Sequence, residues 1–273
     1  MTCLSRVLFL GGDVNRLASV KIRCHEIATR LSCDVQYGIK NVSDVPNGYA
    51  AYVCVKPDFG AEGAAKLARK GAVVWDILDH RPPDTGVMAY LASTTAAARL
   101  YRSFGDVRVV PHHHCNHESI PNTGHNRRVS YVGSRHWHPE LPGVQHDVYY
   151  VDRSGPDEVR RAYRNTDIAL NLRRRTTITG EKADEHINLN SGLKLINCIG
   201  FGIPSVSALE PAYLEVGADC ALFTDIASCD GGVQRLLQDH DLFHRLRRRC
   251  AQRASAFHIT RIVELYRQLL RSL

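Results

Sequence analysis

The chain has 273 residues, of which 44% are hydrophobic and 23% charged, a composition typical of soluble globular proteins. No apolar run reaches the roughly 18 residues that a membrane-spanning helix needs, and no secretory signal pattern is visible, so we expect a cytoplasmic protein. Its 35 lysines and arginines against 28 acidic residues favour an anionic partner such as a nucleotide diphosphate, a lipid surface or a nucleic acid. Nine cysteines without CxxC spacing predict reduced thiols rather than a disulfide framework.

In the first half of the sequence, short apolar runs alternate with helix-like segments. The apolar runs are bounded by glycine, proline or polar residues and predict buried strands. Their alternation with helices predicts a parallel α/β sheet, although no GxGxxG dinucleotide-binding motif is present. The predicted strands lie at 6–10, 34–37, 49–55, 72–78 and 107–110, and the predicted helices at 14–31, 61–70 and within 87–101.

A segment rich in proline, histidine and polar residues, 111–128, predicts a linker between two domains. Four histidines and Cys115 lie within six residues, which raises the alternative of a zinc site. However, three adjacent histidines cannot all face one ion, and no second Cys or His pair completes a tetrahedral set. We therefore expect either interdomain or substrate contacts, with His112 and His113 as candidates, or a plain polar loop.

The second half repeats the alternation of strands and helices. Its final segment carries apolar residues on one helical face and arginines on the other, which predicts a docking helix or, alternatively, a helix at a membrane surface. The predicted strands lie at 129–132, 148–151, 168–172, 205–207 and 221–224, and the predicted helices at 156–165, 231–239, 241–257 and 258–273.

Within this half, the stretch SGLKLINCIGFGIPSV predicts a helix, a tight glycine turn and a short buried strand. Leu193, Ile196 and Ile199 fall at helical spacing. Gly202 can end the helix because a residue without Cβ adopts positive φ without strain. Pro204 then prevents further helix and opens the strand.

This stretch, with the ALFTD segment and the helices that follow it, resembles a signature of GT-B-type nucleotide-sugar glycosyltransferases, and most closely the family-4-like group. The resemblance covers roughly residues 127–270. It implies an α/β fold of two Rossmann-like domains facing across a cleft, with a reduced N-terminal domain. Residues 1–121 would then form the acceptor domain and 122–257 the nucleotide-sugar donor domain, with the helix 258–273 packing back on the first domain.

Three basic residues are candidates for donor binding. The resemblance implies that Arg135, after the first strand of the donor domain, helps bind the diphosphate. Arg173 ends another predicted strand and Lys194 lies in the signature helix, so parallel strands would bring both to the same rim of the sheet. Such cations can neutralise a leaving diphosphate without a metal, so we expect no metal requirement and no cofactor.

The sequence departs from the family's acidic pair. Alignment on the Gly-x-Pro motif places Asn197 and Leu189 where the family usually carries glutamates. Asn197 could still bind a ribose or sugar hydroxyl. Glu215 occupies a position where the family commonly has a glutamate, and Glu210 lies nearby.

Candidates for the base that activates an acceptor hydroxyl lie at the predicted strand ends of the first domain. Asp79 and His80 follow an apolar strand and are the first choice, and the family often has a histidine near His80. Alternatively, His80 is a loop residue at a proline turn. Asp13 is the second choice, and Gly11 and Gly12 either let a substrate approach the backbone or form an ordinary tight turn.

These patterns predict a metal-independent glycosyltransferase that moves a sugar from a nucleotide-sugar donor to a carbohydrate, lipid-linked or other hydroxyl acceptor. The basic surface is also compatible with contact between the protein and the inner membrane surface. The alternative is a non-catalytic protein on the same scaffold that binds a polyanion or nucleic acid with steep salt dependence.

Overall fold

The computed structural model describes residues 6–15, 18–78, 82–120, 122, 127–141, 143–152, 154–174 and 190–273. The chain divides into two compact units. The first unit comprises Met1–His112 and Ile259–Leu273, and the second comprises His113–His258. The division therefore lies between His112 and His113, rather than at 121 as the sequence predicted, because the histidine-rich segment folds with the second unit.

The first unit is built on a parallel sheet. Among its described residues, six strands pair in the order β2-β1-β3-β4-β5-β6, and every pairing is parallel. Apolar β-branched and aromatic residues fill the central strands, as expected where helices cover both faces of a sheet. The strands are β1 (Val7–Gly11), β2 (Asp34–Tyr37), β3 (Ala51–Val55), β4 (Ala72–Ile77), β5 (Ala89–Ala92) and β6 (Val107–Val109).

Helices connect these strands, and the last helix of the chain completes the unit. Helix α1 runs through Ala18–Val20, a π-helical turn at Lys21–His25, and Glu26–Leu31. Helices α2 (Gly63–Leu67) and α3 (Thr95–Leu100) follow, and a later segment, α9 (Ile259–Arg271), returns to this unit. The apolar face of α9 lies in the same core as β1 and α1, with Ile262, Tyr266 and Leu269 buried.

A buried ion pair ties three elements of this unit together. The Nε of Arg23 on α1 lies 2.5 Å from a carboxylate oxygen of Asp76 on β4, and both side chains are almost fully buried. The guanidinium also donates to the carbonyl of Val110 at 2.8 Å, and the hydroxyl of Tyr266 on α9 donates to Asp76 at 3.2 Å. Removing one partner from such a pair leaves an uncompensated buried charge, so this cluster is a sensitive point of the unit.

The second unit also contains a parallel sheet. Five strands pair among its described residues, in the order β11-β10-β9-β7-β8. Its strands are β7 (Val129–Gly133), β8 (Asp147–Tyr150), β9 (Ile168–Asn171), β10 (Ser205–Ala208) and β11 (Ala221–Thr224). Its helices are α4 (Pro156–Arg164), α5 (Leu193–Phe201), α6 (Pro211–Gly217), α7 (Cys229–Gln238) and α8 (His240–Arg253).

The α/β class with two parallel sheets, predicted from the sequence, is confirmed. The signature helix is α5, and Gly202 ends it with φ of 68°, as predicted. One element differs, since the segment 87–101 contains strand β5 before helix α3. Among the described residues, no helix is both long and apolar enough to cross a bilayer.

Candidate active site

The candidate site lies at the carboxyl ends of two neighbouring strands of the second unit, β7 and β9. Because both strands are parallel and paired, the residues that follow them share one edge of the sheet. The N-terminus of α5 begins after Gly192, whose φ of 69° turns the chain into the helix. The second residue of α5 is Lys194, whose side chain reaches the end of β7.

Lys194 is held by Tyr131 on β7. Its ammonium donates to the Tyr131 hydroxyl at 3.1 Å and lies 4.3 Å from the centroid of that ring. The same hydroxyl donates to the carbonyl of Ser134 at 3.0 Å, so its lone pair points to the lysine. Burial raises the pKa of Tyr131, which therefore stays a neutral phenol.

Gly133 makes room for the lysine. A Cβ atom at this position would lie 2.5 Å from the Nζ and 2.8 Å from the Cε of Lys194. Any other residue at the end of β7 would therefore occupy the space that the ammonium fills. This explains in physical terms why a glycine ends the strand.

The environment of Lys194 favours its neutral form. Burial, and next the positive charge of Arg173, lower the pKa of Lys194 to about 7. Among the described residues, no carboxylate lies within ion-pair distance of its ammonium. An anion that entered beside Lys194 would reverse this balance.

Arg173 follows β9 and is fixed by three neighbours. Its Nε lies 2.9 Å from a carboxylate oxygen of Glu210, and its guanidinium lies 5.8 Å from the ring centroid of Trp137. Its third neighbour is Tyr213. Burial acts to lower the pKa of Arg173, but Tyr213 and Glu210 outweigh it, so the pKa is raised and the side chain stays charged.

Among the described residues, Glu210 is the carboxylate that pairs with Arg173, whereas the donor contact expected of Glu215 stays a prediction. Glu210 is buried and accepts a hydrogen bond from the amide of Asn190, which in turn accepts one from the backbone of Gly192 at 3.2 Å. Glu215 is exposed on α6. The signal for Glu210 was its place in the short turn between β10 and Pro211, the first residue of α6.

Arg135 lies at the same end of β7 but in a different environment. Its side chain is exposed, and its guanidinium lies 5.3 Å from the ring centroid of Tyr150. Its backbone N–H donates to Asp152 at 2.8 Å. The structure thus groups Arg173 with Lys194 and places Arg135 beside Tyr150 on the edge strand β8.

Asn197 makes contacts inside the unit. Its side-chain oxygen accepts from the backbone N–H of Cys115 at 2.9 Å, and Tyr163 lies beside it. The bond to Cys115 fixes the segment that opens the second unit against α5. A ribose or sugar contact by Asn197 stays a prediction.

The candidates in the first unit lie at or near strand ends. A Cβ at Gly11 would come within 2.6 Å of Val20, so this glycine permits close packing of β1 against α1. Gly12 donates to the carbonyl of Val55 at 3.3 Å, and Asp13 accepts from the backbone of Asn15 at 2.9 Å.

The remaining candidates are two pairs. Asp79 and His80, the first choice for the acceptor base, lie outside the described residues. His112 and His113 are both buried, and the Nδ1 of His113 lies 3.1 Å from the carbonyl oxygen of His114. Their predicted role in substrate contacts stays a prediction.

Comparison with solved structures shows that the fold is shared with known enzymes. HepE from Anabaena, solved with UDP, has a TM-score of 0.66 at 10% identity, covering 98% of this chain and 100% of its own. Sucrose-phosphate synthase from Thermosynechococcus elongatus has a TM-score of 0.65 at 10% identity, covering 98% and 99%. A glycosyltransferase from Rickettsia africae has a TM-score of 0.62 at 8% identity, covering 97% of each chain.

At such low identities these likenesses establish the fold, and the family rests on a separate finding. No curated protein sequence matches the chain. A family model described as glycosyl transferase-like matches residues 117–266, which is more than half of the 273 residues and includes Lys194, Arg173 and Glu210. The chain therefore belongs to the glycosyl transferase-like family, and its enzyme class is that of a glycosyltransferase.

Proposed function

We propose that the protein transfers a sugar from a nucleoside diphosphate sugar to a hydroxyl acceptor, and that Lys194 and Arg173 bind the donor's diphosphate. The observation that carries this proposal is the position of the two cations. They lie at the carboxyl end of a parallel sheet, with one carboxylate, Glu210, ion-paired to Arg173. Ligands of open α/β sheets bind at this edge.

The charge balance supports an anionic ligand. Arg173 and Glu210 compensate each other, and Asn190 binds the second oxygen of the carboxylate. Lys194 therefore adds positive charge in a mostly buried position where charge is poorly solvated. A diphosphate would supply the compensating charge, and the negative charge that develops on it as the glycosidic bond breaks would strengthen the interaction.

The start of α5 adds to this field. The first N–H groups of a helix have no intrahelical partner, and their dipoles attract anions. Lys194 is the second residue of this nine-residue helix. Its ammonium and the N–H groups at the start of the helix therefore both add positive potential at this end of α5.

We further propose that these protein cations, rather than a metal ion, balance the charge of the leaving diphosphate. Transfer should then proceed at the same rate with EDTA and with added Mg²⁺. Loss of activity in EDTA that Mg²⁺ restores would contradict this part of the proposal.

UDP-sugars are the first donors to test. HepE has been solved with UDP and with UDP-glucose, and a pneumococcal O-GlcNAc transferase that covers 81% of this chain has been solved with UDP and GlcNAc. The acceptor base remains proposed among Asp79, His80 and Asp13. Substitution of the true base should lower transfer to an acceptor while donor binding is retained.

Ligand binding provides the direct test. Thermal unfolding with UDP, GDP, ADP, TDP and CMP, followed by calorimetry with the matching nucleotide sugars, should identify a ligand that stabilises the protein. Lys194→Gln should weaken its binding, whereas Lys66→Gln, at an exposed lysine of α2, should not. If no nucleotide stabilises the protein, and a polyanion binds instead with steep salt dependence, the proposal is wrong.

A further inference from the structure

A column of aromatic side chains stands beside Lys194 in the second unit. The ring of His138 lies 4.4 Å from the ring of Tyr131 between centroids, at an interplanar angle of 37°. The Nδ1 of His138 lies 2.9 Å from the hydroxyl of Tyr150, and its Nε2 lies 3.2 Å from the Nε2 of His146. The Nδ1 of His146 lies 2.8 Å from the carbonyl oxygen of Val144.

These contacts determine where the protons lie when both histidines are neutral. The carbonyl of Val144 can only accept, so the Nδ1 of His146 carries a proton and its Nε2 has the lone pair. The Nε2 of His138 must then donate to His146, which leaves the Nδ1 of His138 to accept from the Tyr150 hydroxyl. The column thus fixes one tautomer and one orientation for His138.

The two histidines can together bind one additional proton. With that proton, one Nε2 still donates to the other, and the Tyr150 hydroxyl can accept from the Nδ1 of His138 instead of donating to it. A second proton would place two N–H groups against each other between His138 and His146. The contacts of the pair therefore accommodate one additional proton and no more.

The charges around His138 oppose that proton. Burial, then His146, Lys194 and Arg174 lower the pKa of His138. Arg174 donates to the His138 carbonyl at 2.8 Å.

The remaining charged groups of the site lie on other elements. The negative charge of Asp152, which follows β8, acts to raise the pKa of Lys194. Glu210 is ion-paired with Arg173. Tyr131 is a neutral phenol.

We propose that His138 is a positioning residue of the anion site, which holds the Tyr131 ring under the Lys194 ammonium and gains a proton with His146 when an anionic diphosphate binds. This inference rests on the proposed function for the identity of the anion. Its geometric part, the support of Lys194 through Tyr131, does not depend on any ligand.

The two parts of the role can be separated by substitution. His138→Phe keeps an aromatic ring against Tyr131 but cannot bind a proton, whereas His138→Ala removes both the ring and the proton site. Tyr149→Phe is a matched control, because Tyr149 is the neighbour of Tyr150 on β8 and points to the other side of the strand. Thermal unfolding of each variant reports any loss of folding.

Calorimetry with UDP-glucose between about pH 6 and pH 8.5 gives the first measurement. Both phosphates of this donor are esterified, so its charge is constant over that range. In the wild type and in Tyr149→Phe, the affinity for UDP-glucose should rise as the pH falls. The rise is up to about tenfold for each unit by which binding raises the pKa of the group that gains the proton. His138→Phe should match the wild type at high pH but gain less on acidification, and His138→Ala should bind roughly tenfold more weakly throughout, the value of one lost hydrogen bond.

NMR of lysine Cε groups in the ligand-free protein gives the second measurement, with Lys194 identified by its loss in Lys194→Gln. In His138→Ala the titration midpoint of Lys194 should rise, because the space left by the ring admits water and relieves the burial that lowers the pKa of Lys194. In His138→Phe it should stay close to the wild-type value.

The two measurements distinguish a failure of this inference from a failure of the proposed function. A rise of the Lys194 midpoint in His138→Ala, without any UDP-glucose binding by the wild type, would support positioning and contradict a UDP-glucose donor. If the wild type binds UDP-glucose and folded His138→Ala keeps its affinity, its pH dependence and the Lys194 midpoint, the inference is overturned and the proposed function stands.

Discussion

Gly133→Ala is the sharpest available test of the role of Lys194, because it adds a single methyl group at the end of β7. The new Cβ would lie 2.5 Å from the Lys194 Nζ and 2.9 Å from the Tyr131 hydroxyl. Both atoms are at the ends of side chains, and the lysine is flexible, so the clash is relieved by moving the ammonium and not by moving the backbone. Gly133 is also absent from the glycines with positive φ, so alanine fits its backbone conformation.

The expected loss follows from the contacts that the displaced ammonium gives up. It loses its hydrogen bond to Tyr131 and, in the proposed complex, its charge-assisted contact with the diphosphate. A hydrogen bond to a charged group contributes about 1.5–3 kcal/mol. The dissociation constant for UDP-glucose should therefore increase roughly 10- to 150-fold, while the free energy of unfolding changes little.

Calorimetry with UDP-glucose measures the first quantity, and urea unfolding measures the second. Gly231→Ala is the matched control, since this glycine lies in α7 of the same unit and a Cβ there meets no atom within 4 Å. The control should bind as the wild type does and should be slightly more stable, because alanine is the better helix former. If folded Gly133→Ala binds UDP-glucose with wild-type affinity, Lys194 does not contact the donor.

Three other variants address pH, the first unit and the signature turn. Burial and Arg173 lower the pKa of Lys194 to about 7, so the charged fraction of Lys194 falls above that pH. The donor affinity measured by calorimetry should fall with the charged fraction. In Lys194→Met this fall above pH 7 should be absent. Asp76→Ala leaves Arg23 buried without its carboxylate and should cost about 3–5 kcal/mol in urea unfolding, whereas a loss under about 1 kcal/mol would mean that water replaces the ion pair. Gly202→Ala should cost about 1–2 kcal/mol in the same assay, from its φ of 68° alone, because no atom crowds the new Cβ; an unchanged midpoint would show that the turn relaxes.

The sequence was most informative where local chemistry decides the structure. Gly202 and Pro204 mark the end of α5 and the start of β10 because positive φ and a missing N–H act within a few residues. Strand β5 was missed because its four residues, Ala-Tyr-Leu-Ala, carry no alternation and lie next to an alanine-rich helix. It becomes a strand through pairing with β4 and β6, which the local sequence does not encode.

The same distinction applies to the site. Arg173 and Lys194 could be predicted because parallel strands deliver their ends to one edge. The pairing of Arg173 with Glu210 could not, since it depends on which residues become buried where the chain passes from β10 into α6. His138 follows β7 and His146 precedes β8. The two rings meet because β8 pairs in parallel with β7, which the local sequence does not encode.

Asn197 connects the unusual sequence of the signature helix to the charge balance of the site. It stands where the resembling family usually has a glutamate, yet its side-chain oxygen accepts from the backbone N–H of Cys115 inside the unit. A carboxylate at this buried position would need a compensating cation or would shift its pKa. In the described part of the unit, Glu210 is the buried acid beside these cations, and it is already paired with Arg173. The positive charge of Lys194 is then available to an anionic ligand, so the loss of the acidic pair and the presence of the lysine are two parts of one electrostatic arrangement.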